Sequence, residues 1–173
     1  MTIDAARFQK LLGEFKLEQL FNEAATFGSI TGVRYTFTNN SGARLETVEL
    51  TPYIDGDLYF AGNYTNDYGG TGAGQPRTLY EFDEGDDPLR PTTYLALFGE
   101  DPADTYLRGW EIGEYSESRR RIGSVANGCE PLRGLIGDDT GASTDANNDL
   151  VTDSFYDVTL SLRFGIGPLE DGE

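Results

Sequence analysis

Two periodicities of apolar residues meet near Gly28, and this change limits the possible folds more than any other feature of the chain. Before it, apolar residues recur from Phe8 at i, i+3, i+4 and i+7, the spacing of one helix face. After it, apolar and polar residues alternate, as they do in strands with one buried face. The pattern predicts a helical segment over residues 4–27, followed by a β-rich body over residues 30–166.

The clearest strand signal lies near the carboxyl end, where apolar residues occupy every second position from Val158 to Ile166. A second signal is the continuous apolar run Thr93–Phe98, which is short enough to be a strand buried on both faces. Strands that follow one another without intervening helices favour antiparallel pairing over βαβ units. The fold predicted is mainly β, an antiparallel β-sandwich or barrel-like body with a helical amino-terminal segment. An α+β fold is the alternative.

The 173 residues contain neither an internal repeat nor a linker, so we expect a single domain over residues 1–173. Residues 62–76 are rich in glycine and poor in aliphatic side chains, which predicts a long loop. One interpretation is a mobile surface loop. The other is an arm that becomes ordered against a neighbouring subunit, with Tyr64 and Tyr68 as interface residues.

Composition excludes several classes of function. The chain has no histidine, so it cannot build a Ser-His-Asp or Cys-His site, or a histidine-ligated metal site, by itself. Its 30 acidic and 13 basic residues give a net charge of -17, which repels phosphate groups and anionic lipid. Cys129 is the lone cysteine and cannot close an intrachain disulfide. We therefore expect no enzymatic activity, no cofactor, no specific nucleic acid and no membrane partner.

Glu111 and a run of three arginines are the charged residues that the sequence singles out. Carboxylates are the main acid–base groups of a chain without histidine, and Glu111 beside Trp110 is the best candidate, although an ordinary strand glutamate is the preferred interpretation. Arg119, Arg120 and Arg121 form the basic cluster of the chain. We predict that these arginines pair with carboxylates of this chain or of a neighbour, which makes them interface candidates.

Four oxygen-bearing side chains between positions 145 and 153 have the relative spacing 1, 3, 5 and 9 of a calcium loop. These four candidate metal ligands are Asp145, Asn147, Asp149 and Asp153. Leu150 stands where such a loop has glycine, and Tyr156 stands where it has a bidentate glutamate. The alternative is a loop whose Asp and Asn side chains bind their own backbone. We predict that this loop binds no calcium tightly.

One stretch resembles a known family. Pro91-Thr92-Thr93-Tyr94-Leu95-Ala96-Leu97-Phe98, then Asp101-Pro102, Glu111-Ile112 and Tyr115, are similar to a signature of small structural proteins of tailed bacteriophages. The similarity covers about 30 of the 173 residues. The resemblance implies a β-rich building block of the virion, assembled in the host cytoplasm, without catalytic residues.

The leading hypothesis is a phage virion structural protein of the tail (tube, baseplate or fibre). It would act by self-assembly, as a homo-oligomer with other virion proteins. Strong acidity suits this role, because it keeps subunits soluble and lets DNA slide past a tube wall. The alternatives are a secreted or surface β-sandwich module and a hydrolase with two carboxylates. The module would bind carbohydrate, with or without calcium, by stacking sugars on Tyr64, Tyr68 and Trp110.

Overall fold

A computed structural model describes most of the chain beyond residue 32. The described residues are 33, 35–58, 67–72, 78–83, 94–99, 106–123, 131–137, 141 and 145–173. The predicted helical segment 4–27 and Tyr64 lie outside them. The sequence predicts one domain, whereas the structure divides the chain into two compact units, residues 1–44 with 170–173 and residues 45–169.

All the helices and strands described below belong to the unit 45–169. They are β1 (Glu49–Leu50), β2 (Tyr53–Asp55), β3 (Asp67–Thr71), β4 (Thr78–Asp83), β5 (Tyr94–Phe98), β6 (Leu107–Glu114), α1 (Tyr115–Gly123) and β7 (Val158–Gly165).

The first sheet is built around β7. Strand β6 pairs with one edge of β7, and β1 and β2 pair in succession with the other, all antiparallel. Pro52 separates β1 from β2, but its carbonyl still accepts a hydrogen bond from the Leu162 amide at 3.2 Å. Proline has no N–H to donate back to Leu162, so the antiparallel ladder is interrupted at this position between β1 and β2.

The second sheet has the order β3-β4-β5 and is also antiparallel. The outer edge of β3 is joined by residues 151–156, where the backbones of Asp67 and Tyr156 exchange two hydrogen bonds of 3.0 Å. The prediction of a loop over residues 62–76 is therefore wrong for residues 67–71. The glycines there serve close packing, since a Cβ on Gly69 would lie 2.3 Å from Ile112, and one on Gly70 would lie 2.4 Å from the Tyr80 ring.

The apolar core lies between the two sheets. Leu79 of β4 packs there with Ile112 of β6 and with Leu160 and Leu162 of β7, and all four are fully buried. The strands predicted near residues 93–98 and 158–166 are β5 and β7, and the predicted antiparallel, mainly β fold is confirmed. On its opposite face β7 buries polar residues beneath α1, whose Ser118 and Arg121 point towards the sheet.

Candidate functional site

A group of carboxylates gathers at one end of the two sheets. Asp55 ends β2 and Asp57 follows it, Asp67 begins β3, Glu81 lies on β4, and Asp157 immediately precedes β7. We call these five residues the acidic cluster. The cluster as a whole is not a motif in the sequence, because its members lie on or beside four strands and span more than half of the chain.

Glu81 is the innermost member of the acidic cluster. Its side chain is fully buried, and neither carboxylate oxygen has a hydrogen-bond partner among the described residues. A Cβ built on Gly56 would lie only 1.3 Å from Oε1, so the carboxylate occupies the space that a side chain at position 56 would need. Burial, reinforced by the charge of Asp67 and then of the other members, raises the pKa of Glu81 to about 9.

Asp67 is the second buried member. One of its oxygens accepts a hydrogen bond from the Leu58 backbone, while Oδ1 has no partner. It lies directly across from Asp83 in the β3–β4 register, and burial together with the Asp83 charge raises the pKa of Asp67 to about 7. Two carboxylates opposite each other on adjacent strands repel, which is why the Asp83 charge contributes to the raised pKa of Asp67.

The three outer members reach solvent. Asp55 and Asp57 are exposed and Asp157 is half-buried, and one carboxylate oxygen from each lies within 4.8 Å of the other two. Burial, and then the charge of Asp55, raises the pKa of Asp157 to about 6. Among the described residues this is the one group of three acidic side chains with such convergent oxygens.

Glu111 belongs to a different, fully satisfied network. Its Oε1 accepts hydrogen bonds from Arg121 Nε at 3.0 Å, Arg121 Nη2 at 2.7 Å and Ser118 Oγ at 3.2 Å. Its Oε2 accepts one from the Arg133 backbone amide at 2.9 Å. Both oxygens of this buried carboxylate are therefore occupied, so Glu111 anchors α1 and residues 131–137 to β6 rather than facing a substrate.

The arginine cluster is divided by the helix. Arg121 faces the sheet and is 4% exposed, so its prediction as an interface residue is wrong, while the predicted pairing with a carboxylate of this chain is confirmed. Arg119 and Arg120 are exposed. The Arg119 guanidinium lies 5.0 Å from the ring centre of Tyr115 and donates a hydrogen bond to its hydroxyl.

In the loop 145–153, where the sequence suggests four metal ligands, side-chain oxygens bind backbone amides of the loop itself. Asp145 accepts hydrogen bonds from the amides of Asp149 and Leu150, at 2.9 and 3.1 Å, and Asp153 accepts one from Ala146 at 2.6 Å. Asn147 also accepts a hydrogen bond from the Asp149 amide, at 2.9 Å. This arrangement is the one expected of an Asx-rich loop, in which side-chain oxygens replace water on backbone amides.

Aromatic side chains cover the outer surface of the second sheet. We call this surface the outer aromatic face, and its residues are Tyr68, Tyr80, Phe82, Phe98 and Phe155. The rings of Tyr68 and Phe82 stack with centres 5.5 Å apart, and Phe155 meets Tyr68 edge-on at 6.3 Å. Phe98 is 49% exposed and Phe155 is 57% exposed. Tyr68, an interface candidate from the sequence, thus belongs to an aromatic surface on a strand, not to a loop.

Trp110 lies elsewhere, half-buried against the core on β6, and is not available as an open stacking platform.

Within the described ranges no helix is long and apolar enough to cross a membrane. No protein-family model, curated protein or solved structure matches this chain.

Proposed function

We propose that this chain is a structural subunit of a tailed-phage virion, in the tail, and that it acts by assembling with copies of itself and with other virion proteins. The resemblance supports this proposal, and its residues 94–98 and 111–112 lie on β5 and β6. The antiparallel β fold suits a building block, because β sheets present large flat surfaces and strand edges for association. Since both oxygens of Glu111 are occupied, we propose no catalytic role for it.

The outer aromatic face is the observation that carries the proposal. Two of its rings, Phe98 and Phe155, are exposed beside the partly buried Tyr68, Tyr80 and Phe82. Exposed aromatic rings are typical of contact surfaces, since each ring buries a large area at a small entropic cost. Phe98 ends β5, and among the described strands β5 pairs only with β4. A second copy is the partner we propose, joined along β5 and covering the face that Phe98 and Phe155 expose.

The charge of the chain makes this proposal testable. Copies that each carry a net charge of -17 repel one another, and salt screens that repulsion over a Debye length of about 10 Å at 0.1 M. We therefore expect assembly to increase with ionic strength. Light scattering after size-exclusion chromatography, with electron microscopy of the same fractions, should show rings or fibres at high salt and small species at low salt.

Paired variants locate the contact. Replacing Phe98 and Phe155 together by serine should abolish assembly while leaving the circular dichroism spectrum unchanged, because both rings are exposed. Leu135→Ser is the control, since Leu135 is also exposed but lies beside β6 of the other sheet. A wild-type chain that stays monomeric at every salt and protein concentration would contradict self-assembly. A monomer that binds a polysaccharide column through Tyr68 would favour the carbohydrate-binding alternative.

A further inference from the structure

We propose that residues 33–38 of one copy of the chain add a strand to the open edge of β5 in a second copy. We call these residues segment 33–38, of which the structure describes Val33 and residues 35–38. The inference rests on the proposed function, because it names the part of the neighbouring copy that makes the contact along β5. Strand addition of this kind joins two chains through backbone hydrogen bonds.

Segment 33–38 has the sequence of a strand but no strand partner. Its apolar residues Val33, Tyr35 and Phe37 alternate with polar ones, which is the pattern of a strand with one buried face. In the structure its described residues belong to no strand, and they make no hydrogen bond to another described residue. The three apolar side chains are exposed. Both the backbone and the apolar side of the segment are therefore available to a partner.

The edge of β5 is the complementary feature. Native sheets usually protect their edges with charges, proline, bulges or a covering segment. The outer edges of β3 and β6 are covered by residues 151–156 and 131–137, and the short edge strand β2 carries Asp55. Strand β5 pairs with β4 through all five of its residues without a bulge, and it contains neither a charge nor a proline. Among the described strands, β5 is thus an edge open to another chain.

The segment fits this edge in length and in the sizes of its side chains. Residues 33–37 match the five residues of β5 in number. Antiparallel pairing, as between the named strands of both sheets, then puts Tyr35 opposite Ala96 and Val33 opposite Phe98. Opposite residues project from the same face, so the large Tyr35 side chain would cover the small, exposed Ala96. Ala96 belongs to a groove whose lining residues are Thr78, Tyr80, Phe82, Ala96 and Val151.

Charge favours segment 33–38 over other parts of the chain as the added strand. The unit 45–169 has 23 acidic and 8 basic residues, so it repels an acidic segment of a second copy. Residues 24–45 are the longest stretch of the chain without an acidic residue, and they include two arginines. Segment 33–38 lies within this stretch and can approach β5 of another copy without like-charge repulsion.

Thr36→Pro in the full-length chain tests the pairing, because proline has no N–H to donate to a neighbouring strand. Thr36 makes no hydrogen bond to another described residue, so the circular dichroism spectrum and Tm should stay unchanged. Light scattering after size-exclusion chromatography at high salt should show a dissociation constant raised about tenfold or more. Thr36→Val is the matched control and should assemble like the wild type, because it keeps the N–H and a β-branched side chain.

Disulfide cross-linking tests the register, and it decides the matter if Thr36→Pro fails to fold. Tyr35→Cys and Ala96→Cys are placed in separate chains that also carry Cys129→Ser, so that a disulfide between positions 35 and 96 joins two copies. Opposite residues of antiparallel strands have Cα atoms about 4.5–5.5 Å apart, which a disulfide can span. Oxidation of the mixture should yield the 35–96 disulfide, identified by mass spectrometry of the linked peptides. Thr36→Cys mixed with Ala96→Cys should yield none, because residue 36 would point to the other face.

The pairing and the proposed function can fail separately. Suppose that the wild type assembles and the variant with serine at positions 98 and 155 does not. If a folded Thr36→Pro then assembles like the wild type, or the 35–96 disulfide does not form, the pairing is wrong and the proposed function stands. Equal cross-linking from positions 35 and 36 would also overturn the pairing, since strand geometry allows only one of them. A wild-type chain that never assembles would overturn both.

Discussion

Replacing Glu111 by glutamine should destabilise the unit 45–169 strongly. The loss should exceed that caused by neutralising an exposed acidic residue of the same unit. The substitution keeps the size of the side chain but removes the negative charge opposite Arg121, which is 4% exposed and cannot turn to water. Breaking a buried ion pair by removing one partner costs about 3–5 kcal/mol. Glu117, 3.8 Å from Arg121 Nη2, partly compensates. We therefore expect a loss near the lower limit, about 3 kcal/mol.

The assay is urea unfolding followed by the fluorescence of Trp110, the only tryptophan, which is next to Glu111 and packs against the core. A loss of about 3 kcal/mol corresponds to a fall in Tm of roughly 6–12 °C for a chain of this size. Glu49→Gln is the control, because Glu49 is 40% exposed and 4.0 Å from Arg163. Its loss should stay below about 1 kcal/mol.

A double variant separates the charge from the packing. Adding Arg121→Met to Glu111→Gln removes the unpaired guanidinium, so the double variant should be more stable than Glu111→Gln alone. A loss below about 1 kcal/mol for Glu111→Gln, or no recovery in the double variant, would refute the reasoning that the pair is buried and mutually dependent.

Three further predictions concern the core and the acidic cluster. Leu160→Asp should yield no folded protein by circular dichroism, because it places an unpaired carboxylate in the fully buried core; melting near the wild-type temperature would contradict this. Gly69→Ala should cost about 1–3 kcal/mol in urea unfolding because its Cβ would meet β6, whereas Gly72→Ala, with open space around it, should be nearly neutral. The raised pKa values of Asp67 and Glu81, about 7 and about 9, mean that the folded chain holds protons which the unfolded chain releases. Their contribution to stability is therefore complete below about pH 4 and is lost as the pH rises through 7 to 9, and Tm against pH should be flatter for Glu81→Gln.

The sequence predicts strands whose apolar and polar residues alternate, but not strands that contain glycines. Strand β7 alternates apolar and polar residues because only one of its faces meets the other sheet, and that period is visible in the sequence. Strand β3 was missed because Gly69 and Gly70 suggest flexibility, while their role is to admit the side chains of Ile112 and Tyr80. Spacing alone cannot distinguish these two uses of glycine.

The acidic cluster was missed for a different reason. The turn at Asp55-Gly56-Asp57 is visible in the sequence. Asp157 joins it only through the pairing of β2 with β7, and Glu81 only because the second sheet packs on the first. The loop 145–153 has the spacing of a metal site because its side-chain oxygens are close in sequence, yet those oxygens bind nearby backbone amides. Proximity in sequence indicates local capping, whereas convergence from several strands requires the fold.

The position of β7 in the chain has a consequence for biosynthesis. This central strand ends at Gly165, and its partners begin as early as Glu49, so the first sheet cannot form until residue 165 has left the ribosome. Folds dominated by such distant pairings also form slowly. During this delay the nascent chain exposes the apolar residues of β5 and β6, and its large negative charge then acts to keep unfinished chains apart. Ribosome-bound chains truncated before residue 158 should accordingly remain sensitive to protease in β1, β2 and β6, the strands that pair with β7.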